Sequence, residues 1–157
     1  MLLWRISNHA DLTGLGGELL NGRWHTAAEG KRIVYFAEHP AVALVENLAS
    51  LRGNATLFPE RFQLIKVSSP ETLAPRELTS RQLSAVNSGK IESSQVIGDA
   101  WLSARTSALL RVPSIPSPES WNYLLNPLHA DATALKIDWA RTITYDRRLF
   151  KLGRMKA

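Results

Sequence analysis

A chain of 157 residues with 45% apolar and 21% charged content suits one domain with a proper core, and its composition excludes wholesale disorder. No apolar run approaches the roughly 20 residues of a membrane helix, and MLLWRISNHAD lacks the pattern of a secretory signal. Zero cysteines exclude disulfides and thiolate metal sites and fit a reducing cytoplasm. The net charge of +5 is local: Arg141, Arg147, Arg148, Lys151, Arg154 and Lys156 stand against Asp146, and the rest of the chain sums to zero. The basic character therefore belongs to the C-terminal segment 141–157. A basic face interleaved with aromatics, as nucleic-acid binding wants, is not expected. A segment that docks an acidic partner or is simply solvated fits better.

In chain order, residues 2–6 read as a first or edge strand carrying Arg5. Gly14, Gly16 and Gly17 match neither G-x-G-x-x-G nor the Walker spacing. They predict a turn with a short helix over 18–20. Ile33, Val34, Tyr35 and Phe36 form an unbroken β-branched and aromatic run, a strand bounded by Gly30 and His39-Pro40. Pro40 suits a first helical turn, and Ala41, Leu44, Val45, Leu48 and Leu51 make an apolar stripe along a helix to residue 51. Glu46 lies nearly opposite that stripe, the only charge among Val42, Ala43, Ala49 and Ser50. A helix so apolar is usually buried, so this carboxylate is paired, lines a cavity or sits on a solvated face, and its small neighbours argue for a pocket wall.

Arg52-Gly53-Asn54 reads as a helix stop and 62–67 as a strand. Residues 68–94 are polar, carry Pro70 and Pro75, and have only a weak period at Leu78, Leu83 and Val86, which predicts a surface excursion. Ile97-Gly98-Asp99 reads as a cap, with the Asp99 carboxylate receiving backbone N–H groups of a short helix at 100–102. Residues 107–112 predict a strand ended by Pro113. Ser117-Pro118-Glu119 reads as a helix start, with the helix running to Asn126-Pro127. A last strand is expected over 133–139, with 141–145 extending it or forming another. Strands and short helices without a regular βαβ alternation favour an α+β class.

Two long stretches, GRWH…IVYFAEHPAVALVENLASL and IGDAWLSARTSALLRVPSIPSPESWNYLLNPLHADA, together with WRI near the start, resemble the RES domain, the toxin half of RES–Xre toxin–antitoxin pairs. The likeness covers most of the chain except roughly residues 54–94. It implies a single domain over 1–157, with mixed or antiparallel sheets and short helices like the ADP-ribosyltransferases of the diphtheria-toxin type. It also implies that NAD+ is consumed as a substrate, with no cofactor bound permanently. Position by position, Arg23 in GRW matches the family arginine, Tyr35 in VYFAE the tyrosine, Glu46 in ALVEN the glutamate and Ser107 in TSALLRVPS the serine. Arg5 takes the place of a first-strand arginine, and Asn126 in LLNP a further polar position. Ala27-Ala28-Glu29 departs mildly from the small residues usual there.

These residue types suit the chemistry. A guanidinium offers paired donors to pyrophosphate oxygens, a job for Arg23 with Arg5. A tyrosine face stacks on a cationic nicotinamide. A fixed carboxylate stabilises the positive charge that develops on ribose as the nicotinamide leaves. Each also has a plainer account: Arg23 as a surface arginine beside Trp24, Tyr35 as core packing, Ser107 as a strand-edge serine. His9, His25, His39 and His129 are too scattered for a metal site, and no G-x-S-x-G elbow is present. The expected catalytic set is Arg23, Tyr35, Glu46 and Ser107, with NAD+ held by Arg5, Arg23, Tyr35, Ser107 and Asn126.

The implied function is a growth-arresting toxin that degrades NAD+ as a glycohydrolase or phosphorylase. One alternative is a protein ADP-ribosyltransferase, and another a non-catalytic binding module acting through the basic segment. The implied partner is a cognate Xre-type, helix-turn-helix antitoxin that covers the pocket. A homodimer within a larger complex is expected, in the cytoplasm, away from membranes and near DNA only through the antitoxin.

Overall fold

The β-branched and aromatic runs each find a partner in one antiparallel sheet. The computed structural model describes residues 1–51 and 62–150, the side chains of residues 147 and 150 excepted. The strands are β1 (Leu2–Ser7), β2 (Val34–Ala37), β3 (Phe62–Ser68), β4 (Leu109–Pro113), β5 (Trp121–Leu125) and β6 (Lys136–Ile143). Their order is β4-β5-β2-β1-β3-β6, and every pairing between them is antiparallel. The helices are α1 (Pro40–Ser50), α2 (Ser80–Asn87) and α3 (Ile91–Ala104). The class is α+β, as expected.

Alternation along the strands separates two faces. Leu3, Val34, Phe36, Ile65, Val67, Leu109 and Leu125 share one core that Ala132 and Leu135 close. On the other face, Leu110, Val112 and Leu124 pack with Val86 of α2, Trp101 and Leu102 of α3, and Trp24. Beside them Val42 and Ala43 of α1 lie on Ala37, with Trp4 and Ile6.

The start of α1 follows the sequence closely. Pro40 occupies its first turn, and His39 Nδ1 accepts from Ala41 N at 3.2 Å. Its buried residues are Val42 and Ala43, not the Ala41–Leu44–Val45–Leu48–Leu51 stripe. These smaller side chains turn the Glu46 side of the helix toward the sheet. The helix stop read at residues 52–54 lies outside the described residues.

Three expectations fail for identifiable reasons. The polar 68–94 stretch holds α2 and the beginning of α3 instead of a surface excursion. A capping box opens α2: Thr79 Oγ1 accepts from Gln82 N at 3.2 Å and Gln82 Oε1 from Thr79 N at 2.9 Å. Asp99 caps nothing, because it sits inside the 14-residue α3. That helix buries Ser94, Gly98, Trp101 and Leu102, a helical stripe whose first two members are too small to register as hydrophobic. Trp121–Leu125 is a strand and not a helix. Asn122 to Leu125 are all buried between β4 and β2, so the run has no alternation to distinguish it from a buried helix.

Part of the basic segment belongs to the fold. β6 runs through Arg141 to Ile143, Tyr145 stacks on Phe62 with ring centroids 3.6 Å apart, and its hydroxyl accepts from Asn47 Nδ2 of α1. Residues 151–157 lie outside the described residues. Among the described residues no helix is long and apolar enough to cross a membrane.

The sheet is nearly divided between β1 and β2. β1 pairs with β3 from Leu2 opposite Ser68 to Ser7 opposite Gln63, and β2 pairs with β5 along its whole length. Between β1 and β2 the register holds one pair, Trp4 opposite Ala37. The sheet is therefore two three-stranded halves joined at a point, and the strands part beside it.

Candidate active site

A cavity of about 700 Å³ occupies this parting, a size suited to a small-molecule ligand. Trp4, Arg5 and Ile6 of β1 form one wall and Tyr35, Phe36 and Ala37 of β2 the other. The glycine-bearing loop from Thr13 to Leu19, Arg23 and His25 frame one side, with Glu46, Asn47 and Ser50 of α1 and Asn122 of β5 completing the lining.

Glu46 reaches the cavity because the small-residue face of α1 is pressed to the sheet. Its Oε1 accepts from Ser114 Oγ at 2.7 Å and from Asn122 Nδ2 at 2.5 Å. Among the described residues nothing donates to Oε2. Ser114 is held in turn, its hydroxyl accepting from Ser117 N at 3.2 Å. The carboxylate is thus half-buried and fixed by two neutral donors, with one oxygen uncommitted. The buried Asn122 Oδ1 also lacks a partner.

Arg23 enters from the opposite side. Its Nε is buried without a hydrogen-bond partner, a donor that a ligand oxygen would satisfy. Beneath it the Tyr35 hydroxyl accepts from Trp24 N at 3.2 Å and lies 2.7 Å from His25 Nδ1. His25 Nε2 is 3.1 Å from the Gly17 carbonyl. A carbonyl only accepts, so Nε2 carries the proton, and in the neutral imidazole Nδ1 then accepts from the Tyr35 hydroxyl. Burial lowers the His25 pKa, against the opposing pull of the Gly17 carbonyl, and burial raises that of Tyr35, so both shifts favour the uncharged pair. Gly22 is required here: a methyl would collide with the Tyr35 hydroxyl and the His25 ring.

Arg5 donates from Nη1 to the Asp11 carbonyl at 2.9 Å. Burial lowers its pKa while the Asp11 carboxylate opposes that shift. Four of the six expected site residues, Arg5, Arg23, Tyr35 and Glu46, therefore line one cavity.

Ser107 and Asn126 do not. Ser107 Oγ accepts from Trp101 Nε1 at 2.9 Å and donates to the Leu109 carbonyl at 3.0 Å. Asn126 Nδ2 donates to the Leu102 carbonyl at 3.0 Å, and its Oδ1 accepts from Leu128 N at 3.1 Å. Both are packing and capping residues at the open end of the β4–β5 hairpin, where Asn126 N meets the Ala108 carbonyl. The serine and the asparagine that hold the Glu46 carboxylate are instead Ser114 and Asn122, at the hairpin's turn end. Ser114 ends the same TSALLRVPS stretch, just past the Pro113 that ends β4, and that strand-end placement was the available signal. Among the described residues no group of three or more His, Asp and Glu side chains is placed to hold a metal ion.

The split antiparallel sheet, with a guanidinium and a fixed carboxylate lining one cavity between its halves, defines an α+β domain with a candidate active site at that parting. The RES domain family model matches residues 2–148, and the chain belongs to that family. It is 38% identical over 150 residues to "Toxin Res" of Pseudomonas putida strain KT2440, covering 96% of this chain and 100% of the relative. It is 33% identical over 160 residues to "Prs ADP-ribosylating toxin" of Sphingobium sp. strain YBL2, covering 94% and 96%. Among solved structures, the M. tuberculosis MbcT–MbcA toxin–antitoxin complex contains a chain of the same fold, with a TM-score of 0.71 at 18% identity over 91% of this chain and 84% of that one.

Proposed function

We propose that this chain is the toxin of a toxin–antitoxin pair and that it removes NAD+ by breaking the bond between nicotinamide N1 and ribose C1′. The observation that carries this reading is Glu46. Its carboxylate is held by Ser114 and Asn122 with one oxygen free, in the cavity that Arg23 also lines. As the bond breaks, nicotinamide departs with the electron pair, and C1′ takes on oxocarbenium character. A preorganised carboxylate stabilises that charge or holds a ribose hydroxyl without reorganising. Arg23, with Arg5, pairs with the pyrophosphate, and the Tyr35 ring stacks on the nicotinamide. Water then adds to C1′ and releases a proton, giving ADP-ribose. Inorganic phosphate in its place gives the sugar phosphate.

Relatives named as toxins, matched over nearly their full length, support the biological half of the reading. The partner proposed is an Xre-type antitoxin that covers the cavity, in a cytoplasmic complex built on a toxin homodimer. The test is intracellular NAD+ after induction of the wild type and of Glu46→Ala without antitoxin. A fall with the wild type alone supports the reading. Growth arrest at unchanged NAD+ overturns it.

A second reading is transfer of ADP-ribose to a protein side chain from the same cavity. The name of the Sphingobium relative, 33% identical across 94% of this chain, favours it. Mass analysis of cell proteins for a stable ADP-ribose adduct separates the two.

A further inference from the structure

Gln95, Gly98 and Asp99 share one face of α3, at the i, i+3 and i+4 spacing of a helical surface. That face lies against residues 22–26 and grips them at alternate positions. Gln95 Nε2 donates to the Gly22 carbonyl at 3.0 Å. Gly98 abuts Trp24 so closely that a methyl there would overlap the Trp24 carbonyl oxygen. Asp99 accepts from Thr26 N at 3.1 Å and from Thr26 Oγ1 at 2.6 Å. Lys31 Nζ ties the last contact, 2.9 Å from both Asp99 Oδ1 and Thr26 Oγ1. Partial burial pushes the Asp99 carboxyl up, but the Thr26 hydrogen bonds and Lys31 outweigh it and hold it below its ordinary value.

The residues between these anchors, Arg23 and His25, line the cavity. No hydrogen bond from the described residues holds the Arg23 guanidinium, and its Nε is buried and unpartnered. The side chain is aimed by its backbone, and the backbone is aimed by α3.

We propose that the Gln95–Gly98–Asp99 face of α3 is a positioning surface for Arg23, setting the direction of its guanidinium and so the affinity of the cavity for an anionic ligand. None of the three residues touches the ligand. That the ligand is the pyrophosphate of NAD+ rests on the function proposed above, whereas the aiming of Arg23 does not.

The test uses the full chain carrying Gln95→Glu, which replaces the donor facing the Gly22 carbonyl by an acceptor, and Thr26→Val, which removes the hydroxyl's contact with Asp99 and Lys31 and leaves the backbone N–H to Asp99. Thr26→Ser restores that contact. Thermal unfolding verifies the fold, peptide mass analysis follows the rate at which phenylglyoxal modifies Arg23, and NAD+ consumption gives KM and kcat separately. The expected result is folded Gln95→Glu and Thr26→Val proteins in which Arg23 is modified several-fold faster. Their KM for NAD+ rises about tenfold, the size of one hydrogen bond to a charged group, with kcat little changed, and Thr26→Ser returns both readouts to wild type. Folded variants with wild-type labelling of Arg23 would overturn the proposal, as would lost stability with KM unmoved. Should the wild type consume no NAD+, the function proposed above fails, and Arg23 labelling still decides this one. If Gln95→Glu does not fold, the Thr26 pair carries the decision.

Discussion

Ser114 Oγ donates to Glu46 Oε1 at 2.7 Å, joining the turn end of the β4–β5 hairpin to the middle of α1. The bond crosses 68 residues of sequence and fixes which carboxylate oxygen is committed and which faces the cavity. Asn122 Nδ2 strengthens the same constraint from the adjacent strand.

Glu46→Gln tests the charge without removing the shape. The amide oxygen still accepts from Ser114 and Asn122, so the melting temperature stays near that of the wild type. NAD+ consumption by the purified protein falls by about 10²-fold or more, the usual cost of losing a preorganised electrostatic contact. A folded Glu46→Gln protein with full activity would remove Glu46 from the chemistry.

Ser107→Ala and Ser114→Ala have opposite signatures. The first leaves the buried Trp101 Nε1 without its acceptor, costs about 1–3 kcal/mol of stability, and leaves the rate alone. The second frees Glu46 from one of two donors, lowering the rate with a smaller loss of stability. Parallel melting curves and rates distinguish them, and a rate loss confined to Ser107→Ala would reverse the assignment.

Gly98→Ala introduces a methyl where the Trp24 carbonyl already stands. Backbone on both sides leaves nothing flexible to yield, so the cost is about 3 kcal/mol or more. For a chain of this size that is a fall of roughly 6–12 °C in Tm. A calorimetric scan of the variant beside the wild type reads it directly.

The neutral His25 predicts an acid-side loss of stability. Burial lowers its folded pKa from the ordinary 6.5, so the unfolded chain binds the extra proton first as pH falls. The contribution is complete above about 6.5 and drains away as pH drops from there toward the lowered folded value. His25→Gln removes this dependence, so the Tm gap between wild type and variant narrows from pH 7.5 to pH 5.5. A constant gap would mean that His25 has the same pKa in the folded and unfolded chains.

The local rules of the sequence reached far into this protein. The unbroken 33–36 run predicted β2, Pro40 predicted the start of α1, and the isolation of Glu46 among small residues pointed to a cavity wall. Arg5, Arg23, Tyr35 and Glu46 were singled out by the resemblance of the stretches that carry them, and all four line the one cavity. What failed has a common cause. Ser107 and Ser114 are seven residues apart, roughly 20 Å of extended chain, so only one end of β4 can reach the cavity, and the choice depends on where α1 docks. Asn122 and Asn126 pose the same question at the two ends of β5. The inner face of α3 was hidden because Ser94 and Gly98 are buried for being small, to let a backbone approach, and smallness carries no hydrophobic period. Periodicity, caps and turns are properties of neighbouring residues, and the sequence by itself determined those. The end of a hairpin that faces a site, and the backbone that a glycine admits, are set by chain segments distant in sequence, and only the tertiary structure decided them.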